Sequence, residues 1–170
     1  HVNEDGETVL FCAVDESAEM VRLLIDSGAD VNHVNEDGET ALFKAQSVEI
    51  ASLLVEKGCD VNHVNRRGET ALFYAQSVEI ASLLIEKGLD VNHVNRDGVT
   101  ALFYEALDVS VESAEMVRLL IDNGADVNHE DFDGETALFR AGSVEIARML
   151  IGRGCDVNHA KNNGVTALFW

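Results

Sequence analysis

The sequence predicts an all-α solenoid of helix–turn–helix units, with turn or hairpin tips along one edge. Three observations carry that prediction. The phrase Val-Asn-His recurs at residues 31–33, 61–63, 91–93, 127–129 and 157–159. A second phrase, Gly-[Glu/Val]-Thr-[Ala/Val]-Leu-Phe, begins at Gly6, Gly38, Gly68, Gly98, Gly134 and Gly164. Between the two phrases lies an apolar stripe at helical spacing, opened by a serine and closed by a glycine. A period near 30 residues with phrase-level identity marks a chain whose units stack on one another.

Cutting at each histidine of the first phrase gives units 1–32, 33–62, 63–92, 93–128 and 129–158 and a remnant 159–170, so that residues 1–170 form a single array. In the 33–62 unit, Asn35-Glu36-Asp37-Gly38 reads as a turn. Thr40 stands as the N-cap of a first helix over residues 41–45. Ser47 caps a second helix, and Ser17, Ser77, Ser113 and Ser143 hold the same place in the other units. Within that helix Ile50, Leu53 and Leu54 fall at i, i+3 and i+4, an inward stripe. Glu19, Glu49, Glu79, Glu115 and Glu145 are placed in its first turn, where negative charge suits the helix dipole. Gly28, Gly58, Gly88, Gly124 and Gly154 close it in the left-handed conformation. Asp30, Asp60, Asp90, Asp126 and Asp156 follow and are expected to bond backbone N–H groups of the next loop. Helix pairs this short cannot bury their own apolar faces, so neighbours must cover them.

The order turn, G-x-T-x-L, helix, E-[IM]-[AV]-x-x-L-[IL], G-x-D-V-N resembles the ankyrin repeat over essentially the whole chain. Gly38, Thr40, Leu42, Glu49, Ile50, Leu53, Leu54, Gly58, Asp60, Val61 and Asn62 match its pattern. Two departures stand out. The family's T-P-L-H becomes Thr40-Ala41-Leu42-Phe43, so Phe43 and its equivalents replace a histidine and pack in its place. Three units run 30 residues where the family usually runs 33. Removing three residues takes out about 300° of helix, so the inward face stays in phase and a shortened first helix is expected. The 36-residue unit is expected to carry an extra turn or a bulge around Leu107-Asp108-Val109-Ser110-Val111. The chain begins inside a turn and stops at Phe169-Trp170, early in a further first helix, as an excerpt of a longer array or of a multidomain protein would.

Composition narrows the function. Asp and Glu number 31 against 12 Lys and Arg, a net charge of −19. That balance disfavours contact with nucleic-acid phosphates and favours neutral or basic partners. No apolar stretch reaches the length of a membrane span. Cys12, Cys59 and Cys155 form no close pair, which suits a reducing, cytoplasmic compartment. Cys59 and Cys155 take the place of a small buried alanine in the family pattern and read as core thiols. The histidines recur at one repeat position, so stacking spaces them by roughly 8–10 Å, too far apart to share a metal ion. Each is expected to bond backbone in its turn. No nucleophile, phosphate-loop or metalloprotease motif is present, and the carboxylates follow the repeat. Neither catalytic, cofactor nor metal residues are assigned.

The informative positions are those where near-identical units disagree. Units 33–62 and 63–92 differ at five of thirty positions: Glu36/Arg66, Asp37/Arg67, Lys44/Tyr74, Val55/Ile85 and Cys59/Leu89. The last two are mild apolar exchanges; the first three are drastic. In ankyrin-like proteins those three positions line the concave groove that holds partners. Followed along the chain, they give Lys44, Arg66, Arg67, Tyr74, Arg96, Tyr104, Phe132 and Arg140, a basic–aromatic strip flanked by Glu39, Glu69, Asp97 and Glu135. Arg and Tyr are enriched in interface hot spots. The resemblance implies a protein-binding module whose partner offers an acidic or amphipathic segment. Competing readings are an acidic mimic of nucleic acid and a passive spacer between domains.

Overall fold

A computed structural model of the chain describes residues 1–167; Leu168, Phe169 and Trp170, where a further first helix is expected, lie outside the described residues. The chain divides into two compact units, residues 1–90 and 91–170. The first contains α1 (Val9–Ala13), α2 (Ala18–Asp26), a 3₁₀ turn at Ala41–Lys44, α3 (Val48–Glu56), a 3₁₀ turn at Ala71–Tyr74 and α4 (Val78–Glu86). The second contains α5 (Ala101–Leu107), α6 (Val111–Asp122), a 3₁₀ turn at Ala137–Arg140 and α7 (Val144–Gly152). Among the described residues there is no strand, and a single isolated bridge joins Ala160 to Thr166. No described helix is long and apolar enough to cross a membrane.

Repeat length sets the first helix, as expected. The 30-residue repeats have room for one four-residue 3₁₀ turn, the first repeat for a five-residue helix and the 36-residue repeat for the seven residues of α5. The second helices carry the core. Ile50, Leu53 and Leu54 are all buried, as are Leu84 and Leu120; Leu83, the equivalent of Leu53, is half-buried. Helix α3 packs between α2 and α4 in the first unit, and α6 packs on α7 in the second.

Serine caps open α2, α3, α4 and α7: the hydroxyls of Ser17, Ser47, Ser77 and Ser143 each accept from the N–H three residues on. The 36-residue repeat departs from the expectation. Its cap is Ser110, which accepts from the Ser113 N–H, and Glu112 rather than Glu115 lies in the first turn. The six inserted residues lengthen α6 at its N-terminus, so Ser113 becomes a buried interior residue that donates to Glu105 Oε2 at 3.1 Å. Burial raises the Glu105 carboxyl above its ordinary value, opposed by that bond.

Thr40 occupies the N-cap position without a capping bond, against expectation. Its hydroxyl turns into the core, 3.8 Å from Cys59 Sγ, and Thr136 meets Cys155 at 3.9 Å. In the three repeats with Ala29, Leu89 or Ala125 in place of the cysteine, the buried hydroxyls of Thr8, Thr70 and Thr100 lack a partner.

Loops bind the stack together. Asp30, Asp60, Asp126 and Asp156 accept from the N–H two residues on, as expected. The asparagines of the first four Val-Asn-His phrases reach the next repeat: Asn32 Nδ2 donates to the Gly58 carbonyl at 3.0 Å, and Asn32 Oδ1 accepts from the Asp60 N–H at 2.9 Å. The Gly58 turn needs its φ of 93°, which a side chain would strain.

Candidate functional site

Five turn tips are each built around one Asx side chain, that of Asn3, Asn35, Asn65, Asn95 or Asp131. Asn35 Oδ1 accepts from the N–H groups of Asp37 and Glu39 at 3.0 and 2.9 Å. Asn65 repeats this with Arg67 and Glu69. Successive tips are joined by backbone, the Arg66 N–H donating to the Asp37 carbonyl at 2.9 Å. The pattern fixes the main chain and leaves side chains 36, 37, 66 and 67 exposed. Exchange at those positions therefore costs the fold little.

Behind the tips of the first unit lie two buried carboxylates, Glu39 and Glu69. Asn35 Nδ2 donates to Glu39 Oε2 at 3.4 Å, and Asn65 Nδ2 to Glu69 Oε2 at 3.2 Å. Lys44 pairs with Glu39 at 3.6 Å. The Tyr74 hydroxyl donates to Glu69 Oε2 at 2.6 Å and accepts from Asn65 Nδ2 at 3.0 Å. Its ring lies 5.6 Å from that of Phe43. Burial, then Glu69, pushes the Tyr74 phenol up to about 12. Glu39 and Glu69 thus do more than flank the strip, because they fix its side chains from beneath. The spacing of five between Glu39 and Lys44, Glu69 and Tyr74, and Glu135 and Arg140 is the sequence signal for this arrangement.

The second unit varies the scheme. Asp131 replaces the asparagine, accepting from the Asp133 and Glu135 N–H groups at 2.9 Å. Arg140 bridges Glu135 at 2.8 Å and Asp131 at 3.6 Å, and Lys161 donates to Glu135 at 2.6 Å. In the 93–128 repeat Val99 replaces the glutamate. Asn95 Oδ1 still accepts from the Asp97 and Val99 N–H groups, but Asn95 Nδ2 is buried with no partner. Here Val99, Phe103, Tyr104, Leu107 and Arg140 surround an open pocket of roughly 170 Å³. Phe132 is 73% exposed at its turn tip, and a Cβ on Gly98 would touch its ring. Arg96 is exposed at the neighbouring tip.

The structure therefore brings Lys44 and Tyr74 onto paired carboxylates, and Tyr104 and Arg140 into one pocket. Arg66, Arg67, Arg96 and Phe132 stand at turn tips.

The histidines serve the stack, with one correction to the expected partner. His33, His63, His129 and His159 bond the carbonyls of Gly6, Gly38, Gly98 and Gly134 at 2.7–2.9 Å. These glycines belong to the preceding repeat, so each imidazole joins two repeats rather than closing its own turn. A carbonyl only accepts, so Nε2 carries the proton. Each ring also meets a phenylalanine edge-on, His63 lying 6.1 Å from Phe43. Among the described residues no three ligating side chains converge on a possible metal position. Cys59 and Cys155 are buried, and burial pushes the Cys59 thiol up to about 11.

Short helical pairs, repeated and joined through asparagine, histidine and turn backbone, define a helical-repeat scaffold that presents variable loop tips. The family description "Ankyrin repeats (3 copies)" matches residues 1–65, 46–131 and 106–170. The chain belongs to the ankyrin-repeat family. A similar solved structure is the crystal structure of the ankyrin repeat domain of Bcl-3, named there a unique member of the IkappaB protein family. It is 29% identical with a TM-score of 0.87, over 99% of this chain and 79% of that one. A comparison with curated protein sequences finds no match.

Proposed function

We propose that this chain is a non-catalytic protein-binding module, and that its partner contacts the face carrying the turn tips and the first helical turns. One observation carries the reading. Units 33–62 and 63–92 keep their buried framework, exchanging Cys59 for Leu89 and Val55 for Ile85, yet change sharply at the exposed tips and at Lys44/Tyr74. Packed interiors tolerate such apolar swaps, while drastic change on one face suits a surface adapted to a partner. In the second unit the exposed rings of Phe132 and Tyr104 stand at the equivalent repeat positions. The partner offers an acidic or amphipathic segment, and the buried thiols suit a reducing, cytoplasmic setting.

Capture of binding partners from a native lysate tests the reading. The variant Arg66→Glu/Arg67→Asp/Tyr74→Lys/Arg96→Glu is expected to lose its partner by tenfold or more at unchanged melting temperature. Its first three substitutions restore Glu36, Asp37 and Lys44 of the preceding repeat. The control Lys57→Gln/Lys87→Gln/Arg118→Gln, on second helices, is expected to keep the partner. Loss in the control with retention in the first variant would move the binding face to the second helices and bring the acidic-surface reading forward.

A further inference from the structure

The repeat that differs most from its neighbours is 93–128, and its departures converge on one place. In the 63–92 repeat, Asn65 Nδ2 and the Tyr74 hydroxyl both donate to Glu69 Oε2. The 93–128 repeat keeps the asparagine as Asn95 and the tyrosine as Tyr104, and replaces the carboxylate with Val99. Asn95 is 5% exposed and its Nδ2 has no hydrogen-bond partner. A buried donor left unsatisfied costs about 1–3 kcal/mol, an expense a chain sheds readily when nothing depends on the group. Here one substitution at residue 99, to the glutamate of four other repeats, would satisfy it.

Where that carboxylate is missing, the pocket opens. Val99, whose N–H donates to Asn95 Oδ1 at 3.0 Å, is one wall. Phe103, Tyr104 and Leu107 add apolar walls, and Leu107, 61% exposed, belongs to the enlarged segment of this repeat. Arg140 supplies positive charge. Its guanidinium holds five N–H donors and meets Glu135 at 2.8 Å and Asp131 at 3.6 Å through one nitrogen, so donors remain for a further acceptor.

We infer that this pocket binds a carboxylate-bearing side chain of a protein partner, flanked by apolar residues, which takes the place that Glu69 fills in the preceding repeat. The carboxylate accepts from Asn95 Nδ2 and from Arg140, and the apolar neighbours pack on Val99, Phe103 and Leu107. Asn95 does not itself line the pocket, so engagement includes rotation of a lining side chain, a change interfaces commonly make over a fixed backbone, while Asn95 Oδ1 keeps its bonds to the Asp97 and Val99 N–H groups. The inference rests on the binding face proposed above and names the chemistry it selects.

The test is an NMR titration of the full 170-residue chain with N-acetyl-Leu-Glu-Leu-amide. Saturable shifts of the Asn95 side-chain amide and the Leu107 methyls are expected. The Leu-Gln-Leu peptide should bind at least tenfold more weakly. Val99→Glu, which rebuilds the carboxylate within the chain, should abolish binding and raise the melting temperature. Leu107→Asp, at an exposed position that leaves the fold intact, should weaken the probe at least tenfold. An unmoved Asn95 amide at millimolar peptide, equal binding of the Gln peptide, or undiminished binding to Val99→Glu would each overturn the inference. If the native partner is lost with the Arg66/Arg67/Tyr74/Arg96 variant yet held by Val99→Glu, the binding face stands and the carboxylate pocket falls.

Discussion

The N–H of Gly142 donates to the carbonyl oxygen of Ala106 at 2.8 Å, and a Cβ at residue 142 would drive into the carbonyl of Leu107. The equivalent residues in two other repeats are Gln46 and Gln76. The exchange of Gln for Gly in the 129–158 repeat is thus the counterpart of the six residues inserted one repeat earlier. The longer α5 occupies the space a side chain at 142 would need, and its last turn finds a donor in the bare glycine.

Gly142→Gln is therefore expected to destabilise the second unit by about 1–3 kcal/mol, the usual cost of overpacking. Replacing residues 105–112 with Ala-Gln, the link of the 30-residue repeats, should relieve most of that cost. Urea denaturation of the two single variants and the double variant measures the coupling. Additive costs would mean that Gly142 and the insertion are unrelated.

Burial along the second helices predicts a graded response. Leu54→Ala and Leu84→Ala remove side chains with essentially no exposure and should each cost about 2–5 kcal/mol. Leu83→Ala, at a half-buried site, should cost less than Leu53→Ala although the two repeats share 25 of their 30 positions. Glu36→Ala at an exposed tip should stay within about 0.5 kcal/mol. Equal costs at Leu54 and Glu36 in chemical denaturation would invert the assigned faces.

The fold was legible because its determinants are local and repeated: the Ser47 cap, the Gly58 stop and the Ile50-Leu53-Leu54 stripe recur in register. The shift from Ser113 to Ser110 was not, since both serines carry the same capping chemistry and the inserted residues decide between them. Thr40 misled for a related reason. Its hydroxyl can cap a helix or face the core, and it leaves the cap both where a cysteine lies opposite, as at Thr40, and where none does, as at Thr70. At the candidate site, sequence comparison located the variable side chains. The pairing of Lys44 with Glu39 and of Tyr74 with Glu69 needed the turn geometry that folds five residues back on themselves. The orphaned Asn95 amide required both that geometry and the absence of a carboxylate at Val99.

The histidine bonds predict a protein indifferent to zinc. The Nε2 atoms of His33, His63, His129 and His159 are committed to glycine carbonyls of the preceding repeat, as between His63 and Gly38 at 2.7 Å. Excess zinc or EDTA should leave the melting temperature unchanged. His63→Ala should cost about 1 kcal/mol or more, because it also leaves the Gly38 carbonyl without that donor. A zinc-dependent rise of several degrees would show histidines converging on metal.

Tyr74 predicts an alkaline limit to stability. Its phenol lies at about 12 in the folded chain against 10.0 for an ordinary tyrosine, burial contributing most and Glu69 next. A group raised on folding favours its protonated form in the native state. Its contribution is complete below pH 10, where folded and unfolded chains both hold the proton. It is lost as pH rises from 10 through about 12, where the unfolded chain has released the proton and the folded chain still resists. Wild type should therefore lose stability across that window faster than Tyr74→Phe, which has no proton to release; other groups titrate alike in both proteins and cancel in the difference. Glu69→Gln removes the buried negative charge beneath the hydroxyl and should lower the phenolate midpoint read by ultraviolet absorbance. A Tyr74 midpoint at the ordinary value, or parallel alkaline unfolding of wild type and Tyr74→Phe, would mean that the Tyr74–Glu69 bond does not persist in solution.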